Sequence, residues 1–396
     1  MGDLLLPLAF ALLCWSGVLA AEDWPEFRGP TGQGHSSETG LAATWSEKEN
    51  IRWKTAIPGK GWSSPAILRD RIWVTTATNA GRSLRAVAVE RESGKIVVDV
   101  EVFRLERAGV VHEKNSHASP TPVLEGDRVY VHFGPQGTAA LKQDGEVVWK
   151  TRLAYAQGHG PGGSPVVYED LLIIDCDGTD VQYVVALDKA SGTVRWRKNR
   201  AGMMAYSTPL VVRGEEGDQV VTVSGGRTFA YEPRTGKELW SVGYGEGFSN
   251  VPRPVFGREM VYICTGFYQP EMLAVRLGGK IAWRVGRAPL TASPLVVGDE
   301  IYMVNDNGIA TCMDARTGRE HWRQRLESSY SASPVFADGR IYWLSEEGDT
   351  TVTAPGKEFR KLGVNQLEGT FLASMAVSDG AIYLRSDRYL YRIQEP

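Results

Sequence analysis

One phrase recurs along this chain: a small residue, a proline, an apolar strand, a turn, and a second strand that contains tyrosine. Its prolines are Pro65, Pro120, Pro165, Pro209, Pro254, Pro294 and Pro334, and an eighth copy has Met375 at this position. Successive copies are 55, 45, 44, 45, 40, 40 and 41 residues apart. A period of roughly 40–45 residues with about four strands per copy is typical of a β-propeller.

A second phrase marks the end of most copies. It combines an acidic residue, a glycine-containing turn and a tryptophan, as in "MDARTGREHW", "LDKASGTVRW", "YEPRTGKELW" and "KQDGEVVW". In the first of these, Gly318 is suited to a positive φ in the turn, and Asp314 to hydrogen bonds with the turn backbone. Because the phrase recurs, we interpret it as a structural repeat and not as a catalytic site.

The number of strands indicates how the ring closes. The last copy ends at "LYRIQEP" without a final strand, whereas "NIRWKTAIPG", which contains Trp53, precedes the first copy without a blade of its own. Pairing these two segments leaves no exposed edge. The sequence therefore predicts an all-β, eight-bladed propeller of four-stranded antiparallel blades over residues 45–396, closed by an N-terminal strand and preceded by an extension at residues 21–44.

The first twenty residues, "MGDLLLPLAFALLCWSGVLA", are typical of a secretory signal, although Asp3 stands where a basic residue is usual. Cys14 follows the bulky Leu13, so we interpret it as part of the apolar stretch and not as a lipidation site. No later segment has the roughly 18 apolar residues that cross a bilayer. We expect a soluble, monomeric mature chain that is periplasmic or secreted.

Net charge and cysteine content limit the binding partners and the disulfide bonds that we expect. The formal net charge of −3 provides no basic field, so a nucleic-acid partner is not expected. Cys176, Cys264 and Cys312 are scattered and odd in number, which favours buried free thiols; one disulfide with one free thiol is the alternative.

The phrases "LDKASGTVRWR", "YEPRTGKELWS" and "MDARTGREHWR" resemble the tryptophan-docking repeat of the pyrroloquinoline-quinone (PQQ)-like propellers. This superfamily includes quinoprotein alcohol dehydrogenases and BamB-like assembly lipoproteins, and the resemblance covers about residues 45–396. It implies that each tryptophan lies between neighbouring blades, against a turn of the next blade. The resemblance specifies fold and not function, because the same propeller carries enzymes and non-enzymes.

Candidate binding residues lie where the repeat is interrupted, in the loops before each Ser-Pro and in the loops between the second and third strands. Both sets of loops share one face of a propeller, where binding sites usually form. The candidates are Trp62, Lys114, Asn115, His117, His159, Asp177, Tyr206, Asn250, Arg253 and Tyr268. Such a mixture suits a polar small molecule or an extended peptide; the alternative is that these residues only stabilise loops around a water-filled channel.

Two metal sites are weaker alternatives. "DCDGTD", residues 175–180, is similar to a calcium loop but has Ala186 where the twelfth-position glutamate belongs. His112, His117 and His159 would form a zinc or copper site if their loops converged.

The sequence favours a non-catalytic, BamB-like scaffold without a cofactor, which binds an envelope protein or a polar ligand. The alternative that the resemblance implies is a PQQ-dependent dehydrogenase, whose calcium, acidic and amide ligands, aspartate base and stacking tryptophan have loose counterparts in Asp177, Asn250, Trp62 and His117. A third possibility is a lyase or hydrolase with His117 or His159 as base beside Arg253.

Overall fold

Short apolar runs separated by glycine-containing turns form strands throughout the chain. The computed structural model describes residues 22–215 and 217–395, and within these ranges the regular secondary structure is all β. The predicted signal segment and Cys14 lie outside the described residues. In the part that is described, no helix is long and apolar enough to cross a membrane.

The strands are numbered in chain order. The closing strand and the first four blades comprise β1 (Ile51–Ala56), β2 (Ala66–Leu68), β3 (Arg71–Thr78), β4 (Ser83–Glu90), β5 (Ile96–Arg104), β6 (Val123–Glu125), β7 (Arg128–His132), β8 (Thr138–Lys142), β9 (Val147–Thr151), β10 (Val166–Tyr168), β11 (Leu171–Asp177), β12 (Gln182–Asp188), β13 (Val194–Asn199), β14 (Leu210–Val212), β15 (Gln219–Ser224), β16 (Arg227–Tyr231) and β17 (Glu238–Gly243). The remaining strands are β18 (Gly247–Phe248), β19 (Val255–Gly257), β20 (Met260–Cys264), β21 (Phe267–Tyr268), β22 (Met272–Arg276), β23 (Ile281–Val285), β24 (Leu295–Val297), β25 (Glu300–Val304), β26 (Ile309–Asp314), β27 (Glu320–Arg325), β28 (Val335–Ala337), β29 (Arg340–Leu344), β30 (Asp349–Ala354), β31 (Arg360–Gln366), β32 (Ala376–Ser378), β33 (Ala381–Arg385) and β34 (Tyr389–Ile393).

Eight four-stranded antiparallel sheets form the blades, which confirms the predicted propeller. First strands of neighbouring blades contact one another, as β2 contacts β6 and β32, so these strands surround the central channel. The last blade consists of β32, β33, β34 and β1. Trp53 pairs with Arg392 in this sheet, so the ring closes through the predicted N-terminal strand.

In five of the blades a tryptophan of the last strand is hydrogen-bonded to a turn of the next blade. Trp283 Nε1 donates to the Ala315 carbonyl at 3.1 Å, and its ring packs over Gly318 (φ 72°). Asp314 accepts the Thr317 amide at 2.9 Å and so shapes the same turn. Equivalent indole-to-carbonyl bonds are made by Trp53, Trp149, Trp196 and Trp322. The structural interpretation of the second phrase is therefore confirmed.

Apolar clusters between adjacent blades form the core of the ring. The cluster between the fifth and sixth blades, for example, buries Tyr262 and Ile301 against Trp283. Cys176, Cys264 and Cys312 are free and buried within such clusters, as their scattered positions favour.

The N-terminal extension crosses the channel on the side of the first hairpin turns, opposite the loop-bearing face. Trp24 exchanges backbone hydrogen bonds with Ile67 of the first blade at 2.9 and 2.7 Å. Gly34 accepts the Phe336 amide of the seventh blade at 2.8 Å. Between these anchors the extension reaches the channel interior, where Phe27 lines the central cavity.

Candidate functional site

A cavity of about 630 Å³ occupies the channel between the loop-bearing face and the N-terminal extension. Loops before the first strands contribute Trp62, His159 and Tyr206, and loops between second and third strands contribute Tyr268 and Asp306. The two kinds of loop therefore meet on one face, as predicted. Because Phe27 of the extension lines the opposite side, the channel is narrowed below the cavity.

A ring of hydroxyl groups lines the cavity. Each comes from the residue immediately before a first strand's proline or its equivalent, where the backbone is extended. The ring consists of Ser64, Thr121, Ser164, Thr208, Ser293, Ser333 and Ser374. Thr121 precedes Pro122, so in the second blade the structural position of the repeated proline is Pro122, two residues after the Pro120 that the sequence phrase marks.

Neighbouring members of the hydroxyl ring are joined directly. The Ser293 amide donates to Ser333 Oγ at 2.9 Å, and the Ser333 amide donates to Ser374 Oγ at 2.9 Å. The same bond links Ser64 to Thr121 at 3.0 Å. These side chains satisfy backbone donors that face the channel, which explains why a small hydroxyl residue recurs before the proline.

Arg253 takes the remaining position of the ring and is buried, with only 2% of its surface exposed. Its guanidinium donates to the Pro209 carbonyl at 3.0 Å and to the Phe27 carbonyl at 2.6 Å. It also pairs with Glu26 at 2.9 Å. Arg253 therefore fastens the extension inside the channel and lies outside the cavity wall, apart from the loop residues with which the sequence grouped it.

Aromatic side chains from neighbouring loops on this face form one side of the cavity wall, which we call the aromatic ledge: His159, Tyr206, Phe248 and Tyr268. Ring centroids are 5.8 Å apart for His159 and Tyr206, and 5.5 Å apart for the stacked Phe248 and Tyr268. Burial, reinforced by the nearby His112, lowers the pKa of His159, so its ring is neutral at pH 7. The ledge is therefore an uncharged stacking surface.

A hairpin found only in the fifth blade among the described blades presents the outer end of the ledge. It consists of β18 and β21, which pair Gly247 with Tyr268. Tyr268 has a φ of 78°, which is unfavourable for a bulky residue, and its side chain is 75% exposed. A strained, exposed tyrosine at a cavity mouth is typical of a binding site.

The long loop between the first two blades extends over the cavity mouth. Its His112 amide donates to the His159 carbonyl at 3.1 Å, and Asn115 Nδ2 donates to the same carbonyl at 2.7 Å. On the other side Lys114 Nζ pairs with Glu346 of the seventh blade at 2.9 Å. The loop thereby places Lys114 and Asn115 in the cavity wall.

Of the ten candidate residues, the structure brings six together around the cavity: Trp62, Lys114, Asn115, His159, Tyr206 and Tyr268. His117, Asp177, Asn250 and Arg253 lie outside its wall. His117 Nε2 is 2.8 Å from the Gly109 carbonyl of its own loop. Asn250 is fully buried and donates to the Cys264 carbonyl at 3.0 Å, which supports the base of the hairpin.

Asp177 belongs to a buried ionic cluster between the third and fourth blades. Arg200 binds it through two bonds of 2.6 and 3.0 Å and lies 3.3 Å from Asp175. Burial raises the pKa of both carboxyls, that of Asp175 to about 7. The acidic residues of "DCDGTD" thus surround a guanidinium instead of an open calcium loop. No cluster of three or more histidine, cysteine or acidic residues suited to a metal occurs in the described ranges.

Several wall residues were missed by sequence reasoning, notably Phe27, Phe248 and the hydroxyl ring. The ring was visible in the sequence, since the residue before each proline is repeatedly serine or threonine, but it was used only as a marker of the period. Phe27 had no such signal, because its position depends on contacts between the extension and distant blades.

Comparisons with known proteins agree with this architecture. A family model described as outer membrane protein assembly factor BamB matches residues 84–278 and 272–370. BamB of Legionella pneumophila is 27% identical over 195 residues, 46% of this chain and 48% of that protein, so the chain spans about half the length of this relative.

Two solved structures show the same fold at low sequence identity. BamB of Moraxella catarrhalis superposes with a TM-score of 0.65 at 14% identity, covering 87% of this chain and 99% of that one. The quinohemoprotein alcohol dehydrogenase of Comamonas testosteroni gives a TM-score of 0.73 at 11% identity, covering 94% and 81%. These likenesses concern the fold alone.

Proposed function

This chain belongs to the family of outer membrane protein assembly factor BamB, and we propose that it is a non-catalytic propeller of the cell envelope that binds a partner at its loop-bearing face. The observation that carries the proposal is the aromatic ledge, which leads from the exposed Tyr268 into the cavity. We place the protein in the periplasm or outside the cell, as its N-terminal sequence favours.

The ledge has the properties of a docking surface. Tyr268 of the ledge is 75% exposed, and the neighbouring Phe267, which also lines the cavity, is 37% exposed, although both have large aromatic rings. Covering one such ring contributes about 2 kcal/mol, and aromatic pairing adds up to about 1 kcal/mol. A partner that places apolar side chains on the ledge and polar groups beside Lys114 and Asn115 satisfies both kinds of surface.

The polar groups of the wall support binding better than catalysis. Among the described lining residues Asp306 is the carboxylate, and its two oxygens accept the Leu290 amide at 3.0 Å and the Thr291 hydroxyl at 2.9 Å. The proposed lyase arrangement is not assembled: His117 binds the Gly109 carbonyl of its own loop and Arg253 binds the N-terminal extension, so of these three side chains His159 alone faces the cavity.

The residues do not fit the PQQ and calcium arrangement that the resemblance implies. Asp177 is held by Arg200, Asn250 supports a hairpin, and His117 lies outside the wall, so only Trp62 of the loose counterparts faces the cavity. We therefore derive no step through PQQ. Titration of the full chain with PQQ in the presence and absence of calcium, followed by absorbance and thermal unfolding, tests this: a large rise in Tm that requires calcium would favour the dehydrogenase alternative.

We propose a protein of the outer-membrane assembly pathway as the partner, because the matched family bears that description. Site-specific photo-crosslinking tests this role. A photoreactive residue at Tyr268 should give one discrete adduct in cell envelopes, identified by mass spectrometry. Leu239 is the matched control, since it is 43% exposed on the outer strand β17. Equal adducts from both positions, or none from Tyr268, would contradict the proposal.

A further inference from the structure

The hydroxyl ring has unused hydrogen-bond donors. Six of its seven oxygens accept a backbone amide from the preceding ring position. Within the part of the chain that the structure describes, none of the seven hydroxyls donates a hydrogen bond to another residue. A serine or threonine hydroxyl carries one donor besides its acceptor capacity. The ring therefore presents O–H groups that are free to donate into the cavity.

Two buried guanidinium groups lie behind this ring. Arg28 Nη2 donates to the carbonyls of Gln33 and Pro294 at 2.8 Å each, next to the ring member Ser293. Arg385 Nη1 donates to Ser63 Oγ at 2.5 Å, next to the ring member Ser64. They lie on different sides of the channel, one by the sixth blade and one by the first.

The charges of Arg28 and Arg385 are not compensated. Unlike Arg253, neither pairs with a carboxylate in the described ranges, and the Nε of each has no hydrogen-bond partner there. Burial lowers the pKa of both to about 9, so both remain charged at pH 7. Buried unpaired charges are costly, and a counter-ion that approaches them in a low-dielectric setting is strongly stabilised.

These observations distinguish between ligand charges. A cation would meet the repulsive field of the two guanidinium groups. Asp306, the carboxylate among the described lining residues, already accepts the Leu290 amide and the Thr291 hydroxyl. A neutral ligand would leave that field unbalanced. An anionic oxygen accepts several hydroxyls at once, and hydrogen bonds to charged groups are about twice as strong as neutral ones.

We propose that the cavity binds an organic oxyanion, whose carboxylate or phosphate group accepts hydrogen bonds from the hydroxyl ring while its apolar body packs on the aromatic ledge. The volume of about 630 Å³ is suited to an organic ligand more than to an inorganic ion. The inference rests on the proposed function, because it assigns a ligand class to the same cavity.

Binding of simple probes tests the ligand class. Phenyl phosphate and benzoate share the aromatic ring and differ in the oxyanion, whereas phenol and benzylamine supply the neutral and cationic controls. The full chain should bind one or both anions by calorimetry, and its thermal stability should rise with the logarithm of the anion concentration above the Kd. Neither phenol nor benzylamine should do so. Binding of benzylamine as tight as that of the anions, or of neither anion at millimolar concentration, would overturn the inference.

Ring substitutions test the site. Ser333→Ala should weaken anion binding roughly tenfold by removing one charged hydrogen bond, and Ser333→Thr should restore it, because threonine keeps the hydroxyl. Ser207→Ala is the matched control: its Oγ donates to Pro252 of the next blade at 2.9 Å, outside the cavity wall. Equal affinity of the alanine and threonine variants at position 333 would show that the ring does not bind the anion.

The outcomes separate this inference from the proposed function. If Tyr268 cross-links a partner but neither anion binds, the ligand class is wrong and the docking role stands. If the anions bind through Ser333 but Tyr268 gives no adduct, the cavity is a small-molecule site and the protein-docking role is wrong.

Discussion

At the scale of single residues, the buried cluster around Arg200 makes the stability of the protein depend on pH in a specific way. The guanidinium of Arg200 makes two hydrogen bonds to the carboxylate of Asp177, while the oxygens of Asp175 are buried without a hydrogen bond among the described residues. Burial raises the Asp175 pKa from its usual 3.8 to about 7. Folding therefore favours the protonated acid. Its contribution to the free energy of unfolding is complete below about pH 4 and is lost as the pH rises through about 7.

Asp175→Asn mimics the protonated acid, so it should raise the free energy of unfolding at pH 8 by on the order of 2 kcal/mol and change it little at pH 4. Urea denaturation at the two pH values measures this. Asp177→Asn is the contrasting variant, because it leaves the guanidinium without its bidentate partner and should destabilise at pH 8 by about 3 kcal/mol or more. A loss of stability at pH 8 in both variants would contradict the assignment of the proton to Asp175.

At the scale of elements, the repeated turn under each tryptophan combines two constraints that substitution can separate. Gly318 and Gly339 have similar φ values of 72° and 68°, but a Cβ at Gly318 would lie 2.8 Å from the Trp283 ring, whereas Gly339 has open space. Gly339→Ala should therefore cost only the backbone strain of about 1 kcal/mol. Gly318→Ala should cost about 1–3 kcal/mol more by displacing the indole. Denaturation followed by tryptophan fluorescence measures both, and equal losses would refute the packing role.

Elements also show where sequence reasoning succeeds. The strands, turns and closing strand were predictable because each repeat encodes them locally, through alternation, a turn glycine and a tryptophan. Six of the ten candidate residues face the cavity for a similar reason: the face on which a loop emerges follows from its place in the repeat. The other four depend on partners outside their own loop or on its internal folding. The position of the Arg253 side chain depends on its ion pair with Glu26, and that of Asp177 on its ion pair with Arg200. Neither pairing is indicated by residues nearby in the sequence.

At the scale of the whole molecule, the N-terminal extension links blades that are distant in sequence. Pro25 accepts the Leu124 amide of the second blade at 2.8 Å, and Gly34 accepts the Phe336 amide of the seventh at 2.8 Å. Trp24, fully buried beside Ile67, anchors the start of this segment. Because a ring of blades is stabilised mainly between neighbours, a segment across the channel couples parts of the ring that do not otherwise touch.

Trp24→Ala should therefore lower the free energy of unfolding by about 3–5 kcal/mol and loosen distant blades as well as the first. Hydrogen exchange of the Leu124 and Phe336 amides measures the distant effect, since both donate to the extension. Trp45→Ala is the matched control: Trp45 is also buried, but its ring stacks on Tyr342 of the seventh blade and, within the described ranges, its backbone does not bond to the second blade. It should cost similar stability and leave the Leu124 amide protected. If Trp24→Ala accelerates exchange only beside Ile67, the extension is a local cover and does not couple the blades.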